Sequence, residues 1–452
     1  MELTPDKIHQ QYKDNSLDKL SASKLLFSII ETSENDKIRI ESINKLGELE
    51  INDDYTFKFL ENLLISDSND SVRNIAAVIL KKLFNNKLLS VMKWALIHEE
   101  SPLCLTTIYI TIIEIIEKFV NNNDSISKSI LLKEVRSIKR KEFKLGFEIL
   151  SETRNFDDFT QKELADILIN FFTIEILEKT FWRLKYRIEK CKIVELDFIF
   201  KGLTSLPEPI KYLSSLKTLG LRYNQIISLP SWFSSQLSLE ILNLNVNNLN
   251  DLPESIGSLL SLKELFLWKN ELRYLPYTIN NLSNLEKLNV RLNHLEKLPK
   301  SIGKLSALKE LDLHDNHLSE IPNSINHLRT LEKLDLSWNN LTTLPNSIGG
   351  LASLKILNLE KNELKTIPKT LGSLSCLEIL NLSENNLEII PDLFKNLISL
   401  KFLNLSRNEL SSIPKSIRFL PSLEELHLNE NHLYNIPKWL NNLDDNGIKA
   451  FF

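Results

Sequence analysis

The chain of 452 residues has few cysteines and contains no long apolar run. Its three cysteines, Cys104, Cys191 and Cys376, are far apart and odd in number, so they indicate neither a disulfide framework nor a CxxC metal motif. Long secreted chains of this kind usually carry disulfides, so we expect a reducing, cytoplasmic location. No stretch of eighteen apolar residues is present, which predicts no membrane span. The polar N-terminus predicts no signal peptide.

The sequence also lacks an excess of charge of either sign. Its 55 basic and 59 acidic residues give a net charge of −4, which predicts no general attraction to nucleic acid or to an anionic membrane. One local basic stretch, residues 133–144, could contact acidic lipid or nucleic acid. We interpret it instead as the solvated face of a helix, because Glu134 and Glu142 interrupt it.

Glycine occurs at only ten positions, and the glycine-rich phosphate-binding motifs are absent. The sequence contains neither a GxxxxGK[ST] loop nor a dinucleotide-binding fingerprint, and it has no HExxH motif, EF-hand loop or Cys/His cluster. We therefore predict a protein that is not an enzyme and uses no cofactor and no metal. An enzyme with an unrecognised site stays open as a less favoured alternative.

What the sequence does contain is a 23-residue repeat. Asparagines recur at this step without a slip, at Asn224, Asn247, Asn270, Asn293, Asn316, Asn339, Asn362, Asn385, Asn408 and Asn431. A proline keeps the same step eleven times, from Pro207 to Pro437. The unit is LxxLxLxxNxLxxLPxxIxxLxx, and eleven copies cover residues 193–445. Such regular self-similarity predicts a solenoid, because one unit cannot bury its apolar side alone.

This unit resembles the leucine-rich repeat family, in the 23-residue LPxxI subtype of intracellular Ras-scaffold and plant Ras-group-related proteins. The resemblance implies a horseshoe in which each copy gives one short strand to a parallel sheet on the concave side. The residues support this independently. Both leucines of LxL point the same way in a strand, and the proline ends the strand. The asparagines lie in an apolar lattice, so we predict a buried structural ladder of amides bonded to backbone groups.

Residues 1–190 show helical periodicity instead. The stretches 35–49 and 69–83 align at a 34-residue step, and each opens with Asn-Asp, a plausible helix cap. They resemble HEAT-like helical repeats, which stack as antiparallel helix pairs. Further helices are expected at roughly 125–150 and 160–190, with Thr160 as a cap and Trp94 in the helical core. The last helix should cover the first strand of the next domain with Phe181, Trp182 and Tyr186.

The predicted architecture is thus a repeat protein with a HEAT-like helical domain at 1–190 and a leucine-rich repeat domain at 191–452. A short C-terminal cap should follow the repeats, built from Ile448, Phe451 and Phe452. In copy two, Gln236 interrupts the last apolar position, and we expect Leu237 to replace it after a local shift.

Function should lie where the copies differ, because the invariant positions build the solenoid. Copies two to seven place aromatic and basic side chains, which are typical of binding hot spots, at the variable strand positions. They are Arg222, Tyr223, Phe266, Trp268, Arg291, Leu292, His314 and Trp338. We expect them to bind a partner protein on the concave face. The family resemblance suggests a small GTPase or its complex. The alternative is a regulatory subunit that targets a phosphatase, a kinase or another enzyme.

Overall fold

A computed structural model describes residues 3–84, 88–122, 124–152, 154, 155, 158–434, 440 and 448–451. The prediction for Phe452 lies outside the described residues. The chain divides into a helical unit, Met1–Leu184 with Ile188–Lys192, and a repeat unit, Lys185–Arg187 with Ile193–Phe452. Within the described part of the chain, no helix combines the length and the apolar composition needed to cross a bilayer.

The described residues of the helical unit form ten α-helices. These are α1 (Pro5–Lys13), α2 (Lys19–Thr32), α3 (Asp36–Glu48), α4 (Asp54–Ser66), α5 (Asp70–Phe84), α6 (Leu89–His98), α7 (Pro102–Asn122), α8 (Ser125–Arg136), α9 (Lys141–Ser151) and α10 (Gln161–Thr180). Their buried faces carry mainly leucine, isoleucine and alanine.

The helix starts follow the capping signals in the sequence. Asn35 accepts a hydrogen bond from the Lys37 amide, and Asn69 accepts from the Ser71 amide, so both Asn-Asp pairs begin helices as predicted. Asn69 also donates to Asp36 at 2.7 Å, which ties the two copies together. Thr160 forms a capping box with Glu163 at the start of α10. The 34-residue helical repeat therefore holds at α3 and α5.

Three helical predictions need correction. Trp94 is 41% exposed and stacks on His98 four residues later, so it lies on the surface and not in the core. The helix expected at 125–150 is two helices, because the chain leaves α8 at Ser137 and re-enters a helix at Lys141. The helix expected at 160–190 ends at Thr180, and residues 185–189 form a strand.

The strand replaces the helix because Leu184, Tyr186 and Ile188 alternate with charged residues, which is the period of a strand. Lys190 and Cys191 follow, both with positive φ, and form the two-residue turn that right-twisted hairpins require. The strand is the first in the sheet order. Trp182 is exposed, with Arg183 over its ring. The expected covering of the first strand by the last helix stays a prediction.

The described strands form one thirteen-stranded sheet in sequence order. They are β1 (Lys185–Glu189), β2 (Lys192–Asp197), β3 (Thr218–Gly220), β4 (Ile241–Asn243), β5 (Glu264–Phe266), β6 (Lys287–Asn289), β7 (Glu310–Asp312), β8 (Lys333–Asp335), β9 (Ile356–Asn358), β10 (Ile379–Asn381), β11 (Phe402–Asn404), β12 (Glu425–His427) and β13 (Lys449–Phe451). From β2 to β13, neighbouring strands pair in parallel. As far as β12 the paired residues follow the 23-residue step, and β12 then pairs with β13.

Each rung of the repeat unit buries its aliphatic side chains as the LxL pattern predicts. In the seventh copy, Leu334 and Leu336 have no exposed surface. Pro345 then opens a short 3₁₀ turn, Asn346–Gly350, in which Ile348 is fully buried. Proline suits this place because its fixed φ starts the turn and its missing amide needs no partner there. The same strand and turn recur in the neighbouring copies, so one continuous apolar core runs through the unit.

The asparagine ladder is bonded to backbone groups, and it is buried from Asn224 to Asn408, while Asn431 at its end is half-buried. Asn316 Oδ1 accepts from the Leu295 amide at 2.9 Å, while its Nδ2 donates to the carbonyl oxygens of Val290 and Leu313 at 3.0 and 3.1 Å. The same set of bonds links each rung to the preceding one from Asn224 to Asn431. Each amide therefore joins two rungs and satisfies backbone groups that the turns would leave without partners.

Copy two departs from the expectation. Gln236 keeps the register position and is buried, and its Nε2 donates to the Ile210 carbonyl at 3.2 Å. Leu237 points outward and is exposed. The chain does not shift, because the buried amide finds backbone acceptors in the preceding rung.

Candidate functional site

Three side chains per rung point to the open face of the sheet. They precede the first leucine of LxL, lie between the two leucines, and follow the second, since side chains alternate along a strand. In the seventh copy these are Lys333, Asp335 and Ser337. We call this surface the sheet face. Of the eight residues predicted to bind a partner, Arg222, Phe266, Trp268, Arg291 and His314 occupy it.

The other three predicted residues lie in a second row, at the turn after each strand. Tyr223, Leu292 and Trp338 have φ between +53° and +58°, in the left-handed region. Every rung from Phe200 to Glu430 repeats this conformation without a glycine. Such a backbone costs about 1 kcal/mol per residue, and the ladder of asparagines and amides that follows it holds the turn in place. We call this line of side chains the turn row.

Trp338 is the centre of one cluster. It is 43% exposed, and the Lys361 ammonium lies 3.3 Å from the centroid of its ring. The His314 ring lies 6.0 Å from it on the other side, so the two rows meet here. The Ser337 hydroxyl donates to Asp335 Oδ1 at 2.5 Å, and its oxygen lies 2.7 Å from His314 Nδ1. This series of polar contacts fixes the imidazole beside the indole.

Tyr223 belongs to a separate cluster near the start of the array. Its ring stacks on Phe200 at a centroid distance of 4.5 Å, and Phe200 is 69% exposed. Arg222 is also exposed and lies 3.9 Å from Asp197 of the preceding rung. Phe200 was not predicted, because copy one departs from the repeat pattern. Its place in the 23-residue register, one step before Tyr223, was the signal that could have found it.

Trp268 and Phe266 lie between these clusters and are half-buried. The Trp268 amide donates to Asn245 Oδ1 at 2.8 Å, which anchors its backbone to the preceding rung. Its indole nitrogen is buried and has no acceptor among the described residues. Trp268 is therefore partly a packing residue, in contrast to the freely exposed side chain expected. Arg291 is exposed and Leu292 half-buried beside it.

Two aspartates meet on the sheet face beside His314. Asp312 and Asp335 are register partners on β7 and β8. Burial raises the pKa of Asp312 above its ordinary value, and the neighbouring charge of Asp335 raises it further, while the hydrogen bond from the His314 amide lowers it. Asn289 donates to Asp312 Oδ2 at 3.1 Å. This part of the sheet face is thus acidic and hydrogen-bonded, in the same two rungs as His314 and Trp338.

The predicted residues lie within or after LxL, and a charged ladder before it, at the start of the strands, was not predicted. Lysine and glutamate alternate there from rung to rung, at Lys217, Glu240, Lys263, Glu286, Lys309, Glu332, Lys355, Glu378, Lys401 and Glu424. They pair across neighbouring rungs, as in Lys309 with Glu286 at 2.7 Å and Lys401 with Glu378 at 2.6 Å. The alternation at twice the repeat length was visible in the sequence. It borders the sheet face with paired, mutually neutral charges.

A second omission is an apolar row near the C-terminal end of the sheet face. Ile356, Ile379 and Phe402 precede the first leucine of LxL in three successive rungs, where the four preceding copies hold charged side chains. The Phe402 ring lies 5.3 Å from His427, whose ring stacks on Phe451 at 4.4 Å. We call these five residues the C-terminal apolar row.

Comparison with known proteins agrees with this geometry. Residues 300–395 match a family model described as a leucine-rich repeat region, and residues 388–433 match one described as leucine rich repeat. No curated protein matches the chain. A leucine-rich repeat protein of Leptospira interrogans is 40% identical over 57% of this chain and 65% of that protein, with a TM-score of 0.53.

Two further solved structures are less identical in sequence and have lower TM-scores. The plant peptide hormone receptor RGFR1 in complex with RGF2 is 32% identical over 50% of this chain and 38% of the receptor, with a TM-score of 0.46. An internalin of Listeria monocytogenes is 20% identical over 69% of this chain and 94% of that protein, with a TM-score of 0.45. The chain thus spans 65% and 38% of the first two relatives.

The parallel sheet, its in-register rungs and the buried amide ladder define a solenoid repeat protein. Taken with the matched family models and the Leptospira structure, they show that the second unit has the leucine-rich repeat fold, preceded by ten helices in the described residues. This fold is commonly a protein–protein interaction module.

Proposed function

We propose that this protein is a non-enzymatic, cytoplasmic scaffold that binds a partner protein on the concave face of its repeat unit. The observation that carries the proposal is the exposed Trp338, held between His314 and Lys361 where the sheet face meets the turn row. Tryptophan, tyrosine and arginine dominate binding energy at protein interfaces. The exposed pair of Phe200 and Tyr223 supplies a second anchor at the start of the array.

The finer proposal is that the partner is a small GTPase or a complex that contains one. Its support is the resemblance of the LPxxI repeats to those of Ras-associated proteins, which is an argument by analogy. The acidic and aromatic groups on the sheet face are compatible with a folded protein surface, because such a surface offers both apolar and hydrogen-bonding groups.

We expect the double variant Trp338→Ala, Tyr223→Ala to lose its partner. Removing two hot-spot aromatics, each contributing about 2 kcal/mol, should weaken binding by a factor of several hundred or roughly a thousand. The measurement is affinity capture from extracts of the native cell with quantitative mass spectrometry. Capture of purified small GTPases loaded with GTP or GDP tests the finer proposal, and equal binding of both nucleotide forms would count against it.

The matched control is Tyr274→Ala, Tyr277→Ala, which removes two exposed aromatics from the proline half of the repeat. This variant should capture the partner as the wild type does. If both double variants lose it, or neither does, the concave aromatics are not the binding surface. Recovery of a phosphatase or kinase complex, lost only in the first variant, would replace the GTPase with the targeting-subunit alternative.

A further inference from the structure

The C-terminal apolar row differs in chemistry from the four rungs that precede it. At the same strand position, β5 to β8 carry Glu264, Lys287, Glu310 and Lys333, whereas β9 to β11 carry Ile356, Ile379 and Phe402. The three side chains lie side by side on neighbouring strands, because these strands pair in register. Ile379, in the middle of the three, is 36% exposed. Ile356 and Phe402 on either side of it are half-buried, so the three form an aligned, partly exposed apolar row of the kind that marks a binding surface.

The spacing of the row limits what can lie on it. Neighbouring strands are about 4.8 Å apart, so Ile356 and Phe402 are separated by about 10 Å along the row. A helix advances about 1.5 Å per residue, so side chains at i, i+3 or i+4, and i+7 also span about 10 Å. In an extended chain, side chains on the same face recur every ~6.6 Å. This distance differs from the strand spacing of about 4.8 Å, so successive side chains of an extended partner would not stay aligned with successive rungs.

The charges beside the row indicate the sign of the partner. Glu378 and Lys401 pair at 2.6 Å, but Glu424, the last acid of the ladder, forms no ion pair with any residue the structure describes. Glu425 accepts from His427 at 2.7 Å, and Lys449 is its register partner on β13. Glu424 also lies near enough to Lys401 to interact with its charge, so three carboxylates, of Glu378, Glu424 and Glu425, face the two ammonium groups of Lys401 and Lys449. This end of the row is therefore acidic.

We propose that the C-terminal apolar row binds an amphipathic α-helix of a partner protein, laid across the strands with basic residues beside its apolar stripe. The proposal rests on the proposed function, since it takes the concave face as the binding surface. One apolar side chain of the helix meets each rung, and a lysine or arginine of the helix reaches Glu424. Helix-in-groove recognition works in this way, through anchors at i, i+3, i+4 and i+7.

The test uses three labelled synthetic peptides, each long enough for about five helical turns, and fluorescence anisotropy with the full chain. One has leucine and lysine in a helical pattern, one has the same composition in strict alternation, and one has leucine and glutamate in the helical pattern. The leucine–lysine helix should bind at least about tenfold more tightly than the other two, because only it matches both spacing and charge. Failure of that peptide to bind, or equal binding of all three, overturns the proposal.

The variants locate the site. Ile379→Asp and the milder Ile379→Ser should weaken binding of the leucine–lysine helix, the first by about tenfold or more, since a charge there disrupts the apolar row. Ile389→Asp is the matched control, because Ile389 is 65% exposed in the same repeat but lies outside the strand. Equal loss in Ile379→Asp and Ile389→Asp would mean non-specific adsorption and overturn the assignment.

A further pair of variants separates this proposal from the preceding one. Glu424→Lys should weaken binding of the leucine–lysine helix and leave the leucine–glutamate helix no weaker. Trp338→Ala, Tyr223→Ala should bind the leucine–lysine helix as the wild type does, because neither side chain belongs to the row. If that double variant no longer captures the partner from cell extract but still binds the peptide as the wild type does, both proposals are supported. Peptide binding that depends on Trp338 and not on Ile379 overturns this one alone.

Discussion

Replacing Asn339 by alanine is expected to lower the free energy of unfolding of the repeat unit by about 3 kcal/mol. Asn339 Oδ1 accepts from the Leu318 amide at 2.9 Å, and its Nδ2 donates to the carbonyl oxygens of Leu313 and Leu336 at 3.0 and 3.1 Å. Alanine leaves these buried backbone groups without partners, at a cost of about 1–3 kcal/mol each before the rung relaxes. Native-state hydrogen exchange of the Leu318 amide measures the loss directly.

The matched control is the next residue, Asn340. It is exposed, and its backbone amide donates to the Leu318 carbonyl at 2.9 Å, a bond that alanine keeps. Asn340→Ala should therefore leave both the exchange rate and the urea midpoint almost unchanged. If the two alanine variants behaved alike, the amide ladder would not be what holds the rungs together. The invariant positions could then no longer be separated, as structural residues, from the variable positions that bind a partner.

The 23-residue period was enough to predict which side of each rung faces inward. Leucine at the LxL positions and asparagine three residues after the second strand leucine have one environment in every copy, so their burial could be read from the repetition alone. Trp338 was placed outside for the same reason, and the structure leaves it exposed. Asn339 is buried and its neighbour Trp338 is exposed because the backbone turns between these two positions.

The reversal itself could not be predicted. A left-handed residue is normally signalled by glycine, but the turn row holds Tyr223, Val246, Leu292 and Trp338, none of which favours positive φ. The conformation is imposed by bonds from the next rung and from the asparagine that follows, and such bonds exist only in the stacked array. Consequently the repeat pattern predicted that the side chains of the turn row lie on the sheet face. The strand position that carries the C-terminal apolar row was not predicted as part of the binding surface.

The helical half was harder to predict because its repeat is short and drifts. The 34-residue step correctly placed the caps Asn35 and Asn69, since side-chain capping is a local interaction. The strand at 185–189 was missed because Leu184, just before it, and Ile188, within it, are four residues apart and fit a helix equally well. The deciding feature is the turn at Lys190 and Cys191, whose conformation no local residue preference indicates.

Replacing Glu99 by glutamine is expected to destabilise the helical unit by about 3 kcal/mol at pH 7, and by progressively less in acid. Arg73 donates to Glu99 through two nitrogens, both at 2.8 Å, and the Glu99 side chain is almost fully buried. Burial would raise the pKa of Glu99, but the Arg73 guanidinium and the amides of Ser101 and Glu100 lower it to about 2. A shift of this size below the ordinary value corresponds to roughly 3 kcal/mol.

The sign of the pH dependence follows from the two pKa values. The group titrates near 4.5 when unfolded and near 2 when folded, so its stabilisation is complete above about pH 4.5. It is lost as the pH falls through this interval. Glutamine cannot ionise, and the difference between the wild type and Glu99→Gln should therefore be full at pH 7 and shrink between pH 4.5 and 2. Urea unfolding followed by circular dichroism at the helical band measures it.

Glu240→Gln provides the control in the repeat unit. Glu240 pairs with Lys263 at 2.6 Å, as short as any ion pair of the charged ladder, but both side chains are partly exposed and screened by water. Exposed pairs contribute little, so this variant should leave stability nearly unchanged at any pH. An equal effect of the two glutamine variants would show that distance alone decides the contribution of an ion pair here. A large effect confined to Glu99 would show that burial decides it. In that case Arg73 and its counterpart Arg39, one 34-residue step earlier and paired with Asp67, hold successive helix pairs together.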